Sequence, residues 1–155
     1  MAELIMMVGL PGSGKSTIAK SMTEIKDDCV VLSSDELRKT FKDKCEPKSL
    51  NYHTFRHMNK TTVELLKQGT SVIYDATNLT RRDRKQLLKE LKKNKVEDII
   101  VTALVIETPT DICAKRNRER EVDRVPDDVM TRYIEKYTPP ILDEDFTYIV
   151  YMKGV

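Results

Sequence analysis

Short unbroken runs of apolar residues recur along the chain, at Leu4 to Val8, Val30 to Ser33, Ser71 to Tyr74, Ile99 to Ile106 and Tyr148 to Met152. Such runs, without polar alternation, predict strands buried on both faces. Between them, apolar positions follow helical spacing over Lys15 to Ile25, Tyr52 to Lys67, Arg81 to Lys93, Pro109 to Arg120 and Asp127 to Tyr137. Strands and helices in alternation predict an α/β fold with a five-stranded, mostly parallel sheet and helices on both faces. Lys42 to Leu50 carries charge and a proline but no period, and reads as a surface loop. With no internal repeat and no low-complexity linker, the 155 residues are expected to form one domain, 1–155.

Composition adds little. A hydrophobic share of 39% suffices for a core, and 27 basic against 25 acidic side chains neither point to nor exclude a polyanionic partner. Cys29, Cys45 and Cys113 are odd in number and form no C-x-x-C pair, which argues against a disulfide framework or zinc site. With no membrane-length apolar stretch and no signal-like leader, the expectation is a cytoplasmic, soluble protein.

The first apolar run leads directly into Gly9-Leu10-Pro11-Gly12-Ser13-Gly14-Lys15-Ser16, which fits G-x-x-x-x-G-K-[ST] with a strand before it and a helix after it. In this pattern glycines let main-chain N–H groups close on phosphate oxygens, and the helix N-terminus adds its positive dipole end. Lys15 is expected on the β- and γ-phosphates and Ser16 on Mg²⁺, with Thr17 beside them. The motif predicts ATP and Mg²⁺ but leaves GTPase, motor and kinase open.

Residues at other predicted strand ends bear on that choice. Asp35 follows the second run, where open α/β sheets put their ligands, and a carboxylate there can orient an attacking hydroxyl. Arg38, three residues on, can hold an anionic part of the acceptor. Ser33, Ser34 and Asp35 are also all good N-caps, which is the competing reading of Asp35. Asp75 closes the third run and is a candidate for supporting Mg²⁺ or its waters, or for a turn cap; Thr77 and Asn78 are candidate acceptor contacts.

Arg116, Arg118, Arg120 and Arg124 form an arginine-dense stretch. Arg116 and Arg120, at i and i+4, share a helical face and are the pair expected to close on the triphosphate, against the alternative of a solvated charged helix. His53 and His57 share that spacing but lack a third ligand and are not read as a metal site. Asp143 to Thr147 spells D-x-D-x-T, an aspartyl-phosphate pattern in the wrong place, before the last strand.

Taken in order, the glycine loop, Asp35 with Arg38, Asp75-Ala76-Thr77-Asn78-Leu79, Lys115-Arg116-Asn117 followed by Arg120, and Val125-Pro126 ahead of a final helix resemble the kinase domain of phage-type 5′-hydroxyl polynucleotide kinases. A wider group of small ATP-dependent kinases is similar. The resemblance spans nearly the whole chain and implies a P-loop fold with an arginine-rich lid. It implies that Asp35 is the general base for a nucleic-acid 5′-hydroxyl and that Arg38 holds the neighbouring phosphate. Arg120 would then stabilise the transferring group, with Arg116 beside it on the ATP side. The chain departs from the family in Ala76, inserted between Asp75 and Thr77, and in the absence of a phosphatase domain. Stacking aromatics are also few, with Tyr52 and Phe55 best placed. The expected function is a 5′-hydroxyl polynucleotide kinase. Its alternatives are a kinase of a small hydroxyl compound such as a sugar acid, nucleoside or antibiotic, and a non-catalytic ATP-binding switch.

Overall fold

The computed structural model describes residues 1–154. Its strands, β1 (Glu3–Val8), β2 (Cys29–Ser33), β3 (Ser71–Asp75), β4 (Ile100–Glu107) and β5 (Tyr148–Lys153), form one sheet in the order β2-β3-β1-β4-β5. Every pairing is parallel. The helices are α1 (Lys15–Ile25), α2 (Ser34–Phe41), α3 (Leu50–Lys67), α4 (Arg81–Lys93), α5 (Thr110–Arg118) and α6 (Asp127–Lys136).

Unbroken hydrophobicity makes β1 the central strand. Leu4, Met6 and Val8 point to one face, where α3 and α4 supply Met58, Val63, Leu66, Leu87, Leu88 and Leu91. Ile5 and Met7 point to the other, against Ile18 and Ala19 of α1. Each buried side chain of this size contributes about 1.5–3 kcal/mol, so a strand carrying five of them is most stable where both faces are covered. A third cluster, Leu10, Leu79, Cys113 and Met130, seats α5 and α6 against the loops that follow β1 and β3.

The sheet edges depart from the sequence expectation. Among the described residues β5 pairs only with β4, and Tyr148, Val150, Tyr151 and Met152 are 41–57% exposed, so this run is an open edge rather than a doubly buried strand. β2, at the opposite edge, is only half-buried, and Cys29 with it, whereas Cys113 is in the core. Lys42 to Leu50 is not all loop: Pro47–Ser49 makes a 3-10 turn with proline in its first turn, and α3 starts at Leu50 rather than Tyr52. Helix α5 ends at Arg118, so Arg120 lies beyond it. Among the described residues no helix is long and apolar enough to cross a membrane.

Candidate active site

The carboxyl ends of the parallel strands gather the predicted residues at one end of the sheet. After β1 the chain turns at Ser13, whose N–H bonds the Leu10 carbonyl at 3.0 Å, and enters α1 through Gly12 and Gly14, at φ 84° and 98°. L-residues with a side chain rarely adopt these angles. Gly12 is doubly constrained, because a Cβ there would lie 2.5 Å from the Cys113 carbonyl oxygen. The loop is thus packed directly on α5, and Arg116 of α5 donates to the Gly12 carbonyl at 3.3 Å.

Lys15, at the start of α1, is 7% exposed, and Asp75, the last residue of β3, is 5% exposed. Burial lowers the Lys15 pKa, against the opposing pull of Asp75 and Asp35. Burial likewise raises that of Asp75, against Lys15 and a hydrogen bond from Ser16. The Ser16 hydroxyl donates to Asp75 Oδ2 at 2.7 Å, while Asp75 Oδ1 is buried with no partner among the described residues. An orphaned carboxylate oxygen beside a serine hydroxyl, at a helix N-terminus, suits a hard cation or its waters, so the residues present fit Mg²⁺. The alanine after Asp75 does not displace it from the strand end.

Asp35 is not the cap of α2. Ser33 is, accepting from the Glu36 N–H at 3.4 Å, which leaves the Asp35 carboxylate, 40% exposed, for other work. Arg38 Nη1 meets Asp35 Oδ1 at 2.8 Å, and Arg38 Nε donates to Asn51 of α3 at 2.8 Å. Asp35 shares a cleft of about 500 Å³ with Ser16, Lys20, Asp75 and Arg120. Arg120 also borders a second depression with Gly12, Gly14, Thr17 and Arg116, so it stands between the glycine loop and the Asp35 side.

Arg116 and Arg120 reach this position without sharing a helix. The buried Asn117 side chain donates to the Val125 carbonyl at 2.7 Å and accepts from the Val125 N–H at 3.0 Å, closing residues 118–124 into a loop that carries Arg120. Lys39 of α2 spans Glu36 and Asp123, at 3.2 and 3.6 Å, and joins that loop to α2 across the cleft.

Asn78 takes a structural place instead of an acceptor contact. It is 6% exposed, at φ 47°, and its amide donates to the carbonyls of Met7 and Ala76. The Thr77 carbonyl accepts from the Gly9 N–H at 3.0 Å, so this segment braces the glycine loop, and the Thr77 side chain is half-buried. His53 and His57 pack edge-on against Tyr52 and Phe41. The D-x-D-x-T stretch is a clamp: Asp143, Glu144 and Asp145 meet Arg81, Arg84 and Lys92 of α4. Lys20, Lys39 and Asp123 escaped sequence reasoning, because nothing in their local pattern separates them from surface charge.

A strand, glycine loop and helix with a buried lysine, a serine on a strand-end aspartate, and an all-parallel sheet define a P-loop kinase fold. A family model described as an AAA domain matches residues 4–140, and the chain belongs to that family. It is 33% identical over 146 residues to L-seryl-tRNA(Sec) kinase of Methanococcus maripaludis, covering 88% of this chain and 53% of that protein. It is 24% identical over 151 residues to the bifunctional polynucleotide phosphatase/kinase of Schizosaccharomyces pombe, covering 95% of this chain and 32% of the relative. A chain of the Pnkp1/Rnl/Hen1 RNA repair complex superposes with a TM-score of 0.68 at 25% identity, over 87% of this chain and 43% of that one. The chain thus spans about half, or about a third, of the curated relatives it matches. The resemblance to polynucleotide kinases read from the motifs is met in both sequence and structure.

Proposed function

We propose that the chain transfers the γ-phosphoryl group of ATP to the 5′-hydroxyl of a polynucleotide. The observation that carries this reading is the Asp35–Arg38 pair on the wall of the cleft that also holds Ser16, Asp75 and Arg120. Arg38 occupies one Asp35 oxygen and leaves the other to accept the proton of the attacking hydroxyl. The acceptor oxygen bonds to the γ-phosphorus as the bond to the β,γ-bridging oxygen breaks, the proton passes to Asp35, and ADP leaves. Lys15, Arg116 and Arg120 offset the charge on the phosphates, with Arg120 on the loop that acts as a lid. Ser16 and Asp75 would hold Mg²⁺, which would supply charge neutralisation to the triphosphate.

A second reading, in which the acceptor hydroxyl belongs to a small compound or an aminoacyl group, draws on the likeness to seryl-tRNA kinase. Labelled ATP offered with 5′-hydroxyl DNA, 5′-hydroxyl RNA, nucleosides and seryl-tRNA separates the two. Label at oligonucleotide 5′ ends is the expected result, and label on the seryl group or on small alcohols alone defeats the first reading. Asp35→Asn is expected to lower kcat by about 10²–10⁴ with ATP affinity retained. A non-catalytic nucleotide switch would be indifferent to that change.

A further inference from the structure

Outside the cleft, α3 and α4 enclose a groove of about 780 Å³ on the side away from the sheet, which phosphoryl transfer does not use. Arg56 and Lys60 line it from α3, and Lys89 and Lys93 line it from α4. Each pair is spaced i, i+4, so the cations form a row along each helix. All four are exposed, and none has an acidic partner among the described residues. Glu90 is the acid in the lining, and it accepts from Asn94. By contrast, Arg81, Arg84 and Lys92 of α4 are matched to the acids at 143–145. Arg82 and Lys85 of α4 have no ion pair among the described residues either, but of the unpaired cations of α4 it is Lys89 and Lys93 that line the groove.

The groove has an aromatic end, and that end adjoins the cleft. Tyr52 is 61% exposed, and Arg56 donates to its hydroxyl at 3.1 Å. Phe55 lies under the Arg38 guanidinium at 5.7 Å, and Asn51 accepts from Arg38. Arg38 therefore touches the cleft through Asp35 and the groove through Asn51 and Phe55. A ligand longer than one nucleotide can pass from one to the other over a single side chain.

We propose that this groove is a track for a single-stranded polynucleotide, holding the part of the acceptor strand that follows its 5′-terminal nucleotide. Tyr52 supplies a stacking face, and Lys60, Lys89 and Lys93 meet the phosphates. This pairing of an aromatic platform with a cationic channel is what single strands require. The inference rests on the polynucleotide reading above, and names the surface that would select a strand over a small alcohol.

The test uses Lys60→Glu/Lys89→Glu/Lys93→Glu and, separately, Tyr52→Ala. A labelled oligothymidylate of about twelve residues, and its RNA counterpart, lie within the span of single-strand sites. Fluorescence anisotropy over a salt series should show the triple variant binding about tenfold or more weakly, with the slope of log K against log salt shallower by about 2. Tyr52→Ala should weaken binding without changing that slope. In turnover, kcat/KM for a 5′-hydroxyl twelve-mer should fall relative to that for a dinucleotide, with KM for ATP unchanged. Unaltered affinity and slope in the triple variant overturn the track. So does a polyglutamate peptide that binds the native protein as well as the oligonucleotide does. Strand binding that the reversal abolishes, with no transfer to any 5′-hydroxyl, sinks the acceptor reading and keeps the track. Transfer with strand binding indifferent to both variants does the opposite. Should the triple variant fail to fold, Tyr52→Ala, at an exposed site, decides by itself.

Discussion

Asp35 and Arg38 show what three residues of separation can carry. On one turn of α2 they pair at 2.8 Å, and the cap is left to Ser33. That Asp35 and Arg38 share a helical face was legible in sequence because it is local, as was the glycine loop, whose geometry lies within eight consecutive residues, whereas the choice of cap among Ser33, Ser34 and Asp35 was left open. The position of Arg120 was legible only as a residue type. A helix through Arg120 was expected, but the chain leaves α5 at Arg118, and the Asn117 bridge to Val125 returns Arg120 to the glycine loop. If Arg120 acts on charge that develops during transfer, Arg120→Ala lowers kcat by about 10³ or more and changes KM for ATP far less. Steady-state kinetics with ATP varied at saturating acceptor checks this, and an unchanged kcat removes Arg120 from the mechanism. Arg38→Lys should not rescue Arg38→Ala, because an ammonium cannot engage Asp35 and Asn51 together as the guanidinium fork does.

Helix α4 could not be read in full, since its central contact spans the chain. Arg84 is wholly buried against Glu144 at 2.8 Å, and its Nη1 donates to the Asn78 carbonyl. Asn78 in turn donates to Met7, the penultimate residue of the strand that leads into the glycine loop. Sequence offered only a basic helix and an apparent phosphatase pattern, and burial turned these into a brace. Burial by itself would raise the Glu144 pKa, but hydrogen bonds from Arg84 and the Ile141 N–H outweigh it and hold the carboxyl below its ordinary value. A carboxylate lowered on folding adds stability above its unfolded pKa, and that stability is lost as pH falls through the folded value. Thermal melts of the native chain should therefore drop in acid below the usual glutamate range, and Glu144→Gln should flatten that part of the profile. Arg84→Met or Glu144→Leu alone should cost about 3–5 kcal/mol, and the double variant markedly less than their sum, because either single change strands a buried charge. Additive losses in denaturant titrations would contradict the pairing.

At the scale of the molecule, the carboxyl ends of the strands bring Ser16, Asp35, Asp75 and Arg120 to one cleft, with Gly12, Gly14, Thr17 and Arg116 beside it, while Thr77 and Asn78 brace the glycine loop. The alternation of strand and helix made that much predictable. The unexpected part was the edge, where β5 is as apolar as its neighbours yet half in solvent, because hydrophobic content does not say how many sides of a strand are covered. Nucleotide should also be felt globally, because the loop, α1 and α5 are packed into one unit around Gly12. Mg·ATP at about a hundred times its Kd should stabilise the fold by about 2.7 kcal/mol, a rise in Tm of about 5–10 °C for a chain of this size. Lys15→Ala should abolish that rise in differential scanning fluorimetry. The central place of β1 has a further consequence, in time instead of space. As the chain is synthesised, β1 has no neighbour until β3 and β4 exist, and Gly12 has no α5 to rest on until Cys113 and Arg116 have followed them. The glycine motif is therefore made well before the packing that holds it, and the capacity to hold a triphosphate arrives only once α5 has been made.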